Sequence, residues 1–205
     1  MTQLANKIAS TAIDWLKLQC YEQTSNRGTC IDKIHEYYDA SWIDRNTSEA
    51  YCAEFVSVVL QKAFQEFGQD APIFTASAIG ILNDARARGI TVDTTSAVGA
   101  VFYKKSSSAT SSGHVGIIVE ELGGGYFNTV EGNATDPTTG QEGVVSIKRS
   151  TDSDSSIRII HVETLIGGSA TVIAGTSKPL MVLLVAAAIG FLYTRNKQAI
   201  KDLGK

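Results

Sequence analysis

The chain has 205 residues, 18 of them basic and 21 acidic, for a formal charge of −3. Lys178, Arg195, Lys197, Lys201 and Lys205 against Asp202 put the C-terminal stretch at +4 and leave −7 on everything before it. An acidic body excludes nucleic acid as the main partner, because phosphate binding needs a basic face. The length suffices for one domain with its own core plus an appendage.

The opening "MTQLANKIASTAIDWLKLQC" lacks a basic start, an unbroken apolar run and a small-residue cleavage site, so it does not read as a signal peptide. Leu4, Ile8, Ala12, Ile13 and Leu16 recur at helical steps and predict an amphipathic helix over residues 2–19. Ile31, Ile34 and Tyr38 predict a short helix in "CIDKIHEYYDA", followed by a loop, "SWIDRNTSE". Phe55, Val58, Val59 and Phe64 predict a largely buried helix from Tyr51 to about Phe67, stopped by Gly68, with Ser48 placed to cap it. "TASAIGILNDARARG" reads as a fourth helix. The period then changes. Residues 99–105, 113–121, 125–133, 143–150 and 157–163 are short β-rich runs split by Gly, Ser, Asn and Asp, and "SSSATSSG" is a polar loop ahead of the second. Helices followed by consecutive strands predict an α+β domain, with the N-terminal helices packed on an antiparallel sheet.

After Leu165 the composition shifts. The reading is a folded domain over 1–165, a linker over 166–178, a transmembrane helix over 179–194 and a basic tail over 195–205. "PLMVLLVAAAIGFLY" has no charge in fifteen residues. As a helix it spans about 22 Å against a hydrocarbon core of roughly 30 Å, so Lys178 and Arg195 would reach to the two interfaces. A buried core helix is the bland alternative, set aside because the segment is apolar on every side. The basic tail predicts an inner-side C-terminus, and Ala186 with Gly190 makes a small-xxx-small pair suited to helix association.

Three cysteines are too few for a disulfide scaffold. Either Cys20 and Cys30 pair across a short loop and leave Cys52 free, or all three are plain thiols, as a reducing compartment would keep them. No C-x-x-C motif occurs, and His35 stands alone near Cys30, so no zinc site is expected. No glycine-rich phosphate loop is present, and no cofactor is expected.

Cysteine attack on an amide needs a thiolate, a base that takes and returns the proton, and a group that holds the base. Cys52 falls at a predicted helix N-terminus, where unpaired N–H groups and the helix dipole favour negative charge. His114 in "SSGHVGIIVE" opens a strand, and Glu131 and Asn133 lie on the next strand in "NTVEGN". A turn at Leu122-Gly123 sets His114 opposite Glu131, and a turn at Gly123-Gly124 sets it opposite Asn133. Both partners share a face because side chains alternate with period two. Gly132 between them lets another group approach closely. Glu54 reads as a favourable first-turn charge. His35 and His161 read as ordinary helix and strand residues, Trp15 and Trp42 as core or groove wall, and Tyr103 and Tyr126 as residues that could line a groove.

The order "YCAEFVSVVL", "GAVFY", "SGHVGIIVE", "VEGN" resembles the CHAP family, the cysteine, histidine-dependent amidohydrolases/peptidases, over roughly residues 3–163. The resemblance implies a papain-like α+β fold and cleavage of amide bonds in bacterial peptidoglycan, an activity common in bacteriophage lysins. It makes Cys52 the nucleophile, His114 the general base and acid, Glu131 the residue that orients His114, and Asn133 a further polar member. Two positions depart from the family pattern: Tyr51 stands where Trp is usual, and Gly99-Ala100 where Gly-Asp is usual. Some relatives bind calcium ahead of the nucleophile, but Asp44 and Glu49 offer too few oxygen ligands here. The expectation is a membrane-anchored peptidoglycan hydrolase, of the amidase or endopeptidase type, in a phage virion membrane beside other virion proteins or in a bacterial envelope. The rival readings are an inactive structural or wall-binding virion protein and a bacterial envelope amidase or transamidase.

Overall fold

A computed structural model describes residues 1–38, 50–106 and 113–165. The first helix, α1 (Gln3–Lys17), starts at Thr2, whose hydroxyl accepts from the Ala5 N–H at 3.0 Å. It buries Leu4, Ile8, Ala12 and Trp15, the stripe its spacing predicts. The second, α2 (Thr29–Tyr37), buries Ile31 and Ile34. The third, α3 (Cys52–Gln65), is buried along nearly its whole length. The fourth, α4 (Ala78–Ala87), is capped by the Ser77 hydroxyl, which accepts from Gly80 N–H at 3.2 Å.

Six strands follow: β1 (Val92–Asp93), β2 (Val101–Lys105), β3 (Gly113–Gly123), β4 (Tyr126–Thr135), β5 (Glu142–Ser150) and β6 (Ile157–Ile160). They form one antiparallel sheet in the order β1-β6-β2-β3-β4-β5. The two-residue β1 is too short to leave a periodic signal, and the sequence reading does not contain it. The last predicted strand ends early: β6 stops at Ile160, and Val162–Thr164 is a short 3-10 helix.

The sheet has two apolar faces. Val101, Tyr103, Val115, Ile117 and Val130 join α1 and α3 in the main core. Ala100, Phe102, Ile118, Phe127, Ile157 and Ile159 form a smaller cluster. Alternation along β2 and β3 puts these two sets on opposite faces. Ala100 is fully buried in the smaller cluster, so at this departure from the family pattern the side chain packs against apolar neighbours.

The β3–β4 hairpin differs from both expected turns. Gly123 pairs with Tyr126, so the turn is Gly124-Gly125, with φ of 58° and 70°. Two left-handed residues are what a tight hairpin of this twist requires, and glycine supplies them without strain. Register shifts between Ile118 and Glu120 and between Glu121 and Gly123 then slide the strands, so that Ile117 faces Val130. The register reached at Ile117 is therefore the one the Gly123-Gly124 turn would have given.

Cys20 and Cys30 are joined as a disulfide, with Cα atoms 5.2 Å apart, and Cys52 is the free cysteine. Among the described residues no helix is long and apolar enough to cross a membrane. The proposed membrane segment 179–194, Ser48, Trp42, Asp44 and Glu49 lie outside the described residues.

Candidate active site

Cys52 is the first residue of α3, and its side chain is almost fully buried. The residue before it, Tyr51, makes no side-chain cap, and the first helical hydrogen bond runs from Phe55 N–H to Tyr51 C=O at 2.9 Å. The N–H groups of the first turn thus have no partner within the helix. Gly132 on β4 brings this helix tip close to the sheet. A Cβ there would stand 2.8 Å from Phe55 Cβ and 3.2 Å from Tyr51 Cε2. The helix presses on bare backbone, the close approach expected of that glycine.

His114, the second residue of β3, brings its ring to Cys52 and Glu131. Its Nε2 lies 2.7 Å from Glu131 Oε2, and the ring is also hydrogen-bonded with Cys52. With Nε2 engaged by the carboxylate, Nδ1 is the nitrogen left for the sulfur. Glu131 is not the residue directly opposite His114 but its diagonal neighbour, a distance that two long side chains span. Burial works against a charged His114 ring. The hydrogen bonds with Cys52 and Glu131 and their negative charge outweigh it, and the imidazole is pushed up to about 9.

Glu131 is completely buried, and each of its oxygens has partners. Arg149 on β5 holds it with both arms of its guanidinium: Nε to Oε1 at 2.8 Å and Nη2 to Oε2 at 2.6 Å. The Thr129 hydroxyl also lies on Oε1, and the Ile147 carbonyl is 2.9 Å from the same hydroxyl. Burial alone would raise this carboxyl, but hydrogen bonds from His114 and Arg149 and their positive charge hold it below its ordinary value. A paired, multiply hydrogen-bonded carboxylate is the form in which a buried charge is tolerated. Gly116 makes room for it, since a Cβ there would sit 2.7 Å from Glu131 Cγ and 2.6 Å from Phe102 Cε1.

Asn133, the other candidate on this strand, is turned elsewhere. Its backbone is left-handed, with φ of 55°, and its amide donates to Asn26 Oδ1 at 2.6 Å. Asn26 sits in the loop closed by the disulfide, and its carbonyl is 3.3 Å from His35 Nε2. His35 Nδ1 is in turn 2.6 Å from Glu54 Oε2, in the first turn of α3. Glu54 lies in the first turn of α3, as expected, and is also a buried partner of His35. Through Asn133, Asn26, His35 and Glu54, a line of hydrogen bonds ties β4 to the helix that carries Cys52. Tyr51, the tyrosine at the usual tryptophan position, is fully buried and meets the His35 ring edge-on at 5.8 Å.

Sequence reading missed Arg149 and the His35–Glu54 pair. Arg149 could have been found by asking which cation neutralises Glu131, since Glu131 faces Val145 and alternation puts residues 145, 147 and 149 on one face. Tyr103 is buried beneath Gly113, and Tyr126 lies beside the hairpin turn at the far end from His114, so neither lines an open groove at the site as expected. Among the described residues no group of three or more metal-ligating side chains comes together.

No curated protein matches the chain. The solved structures similar to it include two of Ly7917. One, the crystal structure of Ly7917, is 16% identical, with 76% of this chain and 62% of that chain covered and a TM-score of 0.40. The other, Ly7917 with the hydrolyzing product of MDP, is 14% identical over 74% of this chain and 62% of that chain, with a TM-score of 0.33. The chain thus spans 62% of the length of each of these. Residues 42–133, which hold Cys52, His114, Glu131 and Asn133, match the family model of the CHAP domain.

Proposed function

We propose that the protein hydrolyses an amide bond of bacterial peptidoglycan, with Cys52 as nucleophile, His114 as general base and acid, and Glu131 as the group that orients His114. One observation carries this reading: a buried carboxylate fixes one nitrogen of His114 while the other faces a thiol at an uncapped helix tip. The CHAP domain supports peptidoglycan as the substrate.

The proton of the Cys52 thiol passes to His114 Nδ1, and the sulfur attacks the amide carbonyl. The N–H groups of the first turn of α3 are the donors for the oxyanion of the tetrahedral intermediate. His114 then gives its proton to the leaving amine as the C–N bond breaks. Water, deprotonated by the same ring, attacks the thioester and frees the acid and the thiol. Glu131 keeps Nε2 protonated and the ring in place through both halves.

Release of soluble fragments from purified peptidoglycan by the full chain, beside Cys52→Ala, tests the proposal. Fragments from the wild type alone support it, and mass spectrometry of the new end groups assigns the amidase or the endopeptidase reaction. Equal release by both proteins overturns the site.

A tether through residues 179–194 belongs to the same proposal and places the hydrolase at a membrane, of a phage virion or a bacterial envelope. The charge-free run "PLMVLLVAAAIGFLY" supports it. Flotation of the full chain with lipid vesicles, lost on truncation after residue 165, is the expected result; a full chain that stays with the soluble fraction removes the tether.

A further inference from the structure

Two nitrogen donors converge on one carboxylate oxygen. Glu131 Oε2 is 2.7 Å from His114 Nε2 and accepts from Arg149 Nη2 at 2.6 Å, while Arg149 Nε donates to Oε1 at 2.8 Å. Arg149 stands opposite Phe127, further along the β4–β5 ladder than the Glu131–Val145 pair, and reaches back along the sheet to make these bonds. Its guanidinium carbon lies 5.3 Å from the centre of the Phe102 ring, and the same ring is 6.0 Å from that of His114. Phe102 and Glu131 are fully buried and the Arg149 side chain is 19% exposed, so the charges meet where water screens them little.

The proposed reaction asks two things of Glu131. The carboxylate must keep one orientation, or His114 loses its aim, and its charge must favour the imidazolium without trapping the proton that the leaving amine needs. A carboxylate bonded by His114 alone is free to turn about its last bond. A planar fork that engages both oxygens, as Arg149 does, removes that freedom. The same fork shares Oε2 with His114, so part of the carboxylate charge is answered by a permanent cation. The other charged or titratable groups facing His114 are Cys52 from α3 and Lys104, which stands opposite it on β2. Lys104 Nζ is 2.8 Å from Asp154 Oδ2, so that cation is already paired.

We propose that Arg149 is a positioning residue of the reaction and acts through Glu131: its fork fixes the carboxylate in the orientation that bonds His114, and its charge offsets part of the pull of that carboxylate on the imidazolium. This inference rests on the hydrolase reading and deepens it. The direction of the charge effect follows from the last proton of the His114–Glu131 pair. Losing it leaves a buried carboxylate that Arg149 compensates, so the guanidinium eases the loss. Without Arg149 the pair holds that proton more tightly. Removing the charge of Glu131 does the opposite. A lysine at this position keeps a cation but, as a point charge, not the fork.

The test follows fragment release from purified peptidoglycan by the full chain across pH, with folding checked by circular dichroism. Arg149→Met should lower kcat about tenfold with KM near wild type, and move the alkaline limb of the profile up by about one pH unit. Glu131→Gln moves the same limb down. Arg149→Lys should leave the limb near the wild-type position and cost about threefold in kcat, the part that belongs to the fork. In the Glu131→Gln background, Arg149→Met should add less than about threefold, because its route to His114 is already cut. That double variant removes both buried charges together, so it folds even where Arg149→Met alone, with its uncompensated carboxylate, does not. An Arg149→Met limb that stays in place or moves down, or a full tenfold loss added on top of Glu131→Gln, overturns the role of Arg149 and leaves the hydrolase intact. A wild type that releases no fragments overturns the hydrolase reading and this one with it.

Discussion

His114 on β3 and His161 just after β6 invite comparison, because both rings are pushed up to about 9 by hydrogen-bonded neighbours. Their bonding differs in one respect. His161 is held at both nitrogens by carboxylates: Nδ1 lies 2.9 Å from Glu163 Oε1 and Nε2 lies 2.9 Å from Asp93 Oδ1. It clamps β1 and the short 3-10 helix to β6 and has no nitrogen to spare. His114 gives one nitrogen to Glu131 and turns the other to Cys52. His35 sides with His161, since Glu54 and the Asn26 carbonyl occupy its ring. A raised histidine is thus common to a clamp and to the proposed general base. What separates them is a ring whose bonding is shared between a carboxylate and Cys52.

The sharpest way to break the comparison is to remove each ring. Cys52→Ala and His114→Ala should each lower turnover at least about 10³-fold while the protein stays folded by circular dichroism. His161→Asn should leave turnover near wild type, and an equal loss there would erase the distinction. Glu131→Gln comes next, with turnover reduced about 10- to 100-fold. The alkaline limb of the pH–activity profile, expected near pH 9 where His114 loses its proton, should move to lower pH, because the variant lacks the charge that favours the imidazolium. A limb that stays in place would mean that Glu131 does not set the ring's proton affinity.

Gly132→Ala probes geometry in place of charge. The new methyl meets Phe55 and Tyr51, so α3 must move away from β4. Turnover should fall about tenfold, and stability should drop by about 1–3 kcal/mol in urea melts. The smallest effect belongs to the clamp. A histidine raised from 6.5 to about 9 stabilises the fold fully below pH 6.5, and that stabilisation is lost as pH rises through about 9. The melting-temperature deficit of His161→Asn should follow this window, largest in mild acid and smallest above pH 9.

Much of this arrangement is legible in the chain. The four helices announce themselves by their apolar spacing, and the period-two runs mark five of the six strands. Cys52 at a helix tip and Glu131 on the face used by His114 follow from the same patterns. The turn does not, because three consecutive glycines allow several registers and the two shifts that restore the pairing are set by neighbouring strands. Nor does the line from Asn133 to Glu54, which joins four segments far apart in sequence. Nothing local tells Asn133 to turn from His114 to Asn26. The left-handed backbone at both asparagines and the loop closed at Cys20 and Cys30 make that choice.

That closed loop has a consequence for how the proposed nucleophile survives synthesis. An unfolded chain with three thiols can join any two of them, and two of the three pairings consume Cys52. Cys20 and Cys30 are 10 residues apart, whereas Cys52 lies 22 residues from one and 32 from the other. Loop-closure entropy favours the short ring over those two by about 0.7 and about 1 kcal/mol. The bias is modest but acts early, before α3 has formed. Once made, the short ring withdraws both competing thiols and leaves Cys52 without an internal partner. The disulfide is then a quarantine as well as a brace. Replacing only one of its cysteines would do more harm than replacing both, because the survivor becomes a rival for the single sulfur that the proposed chemistry needs.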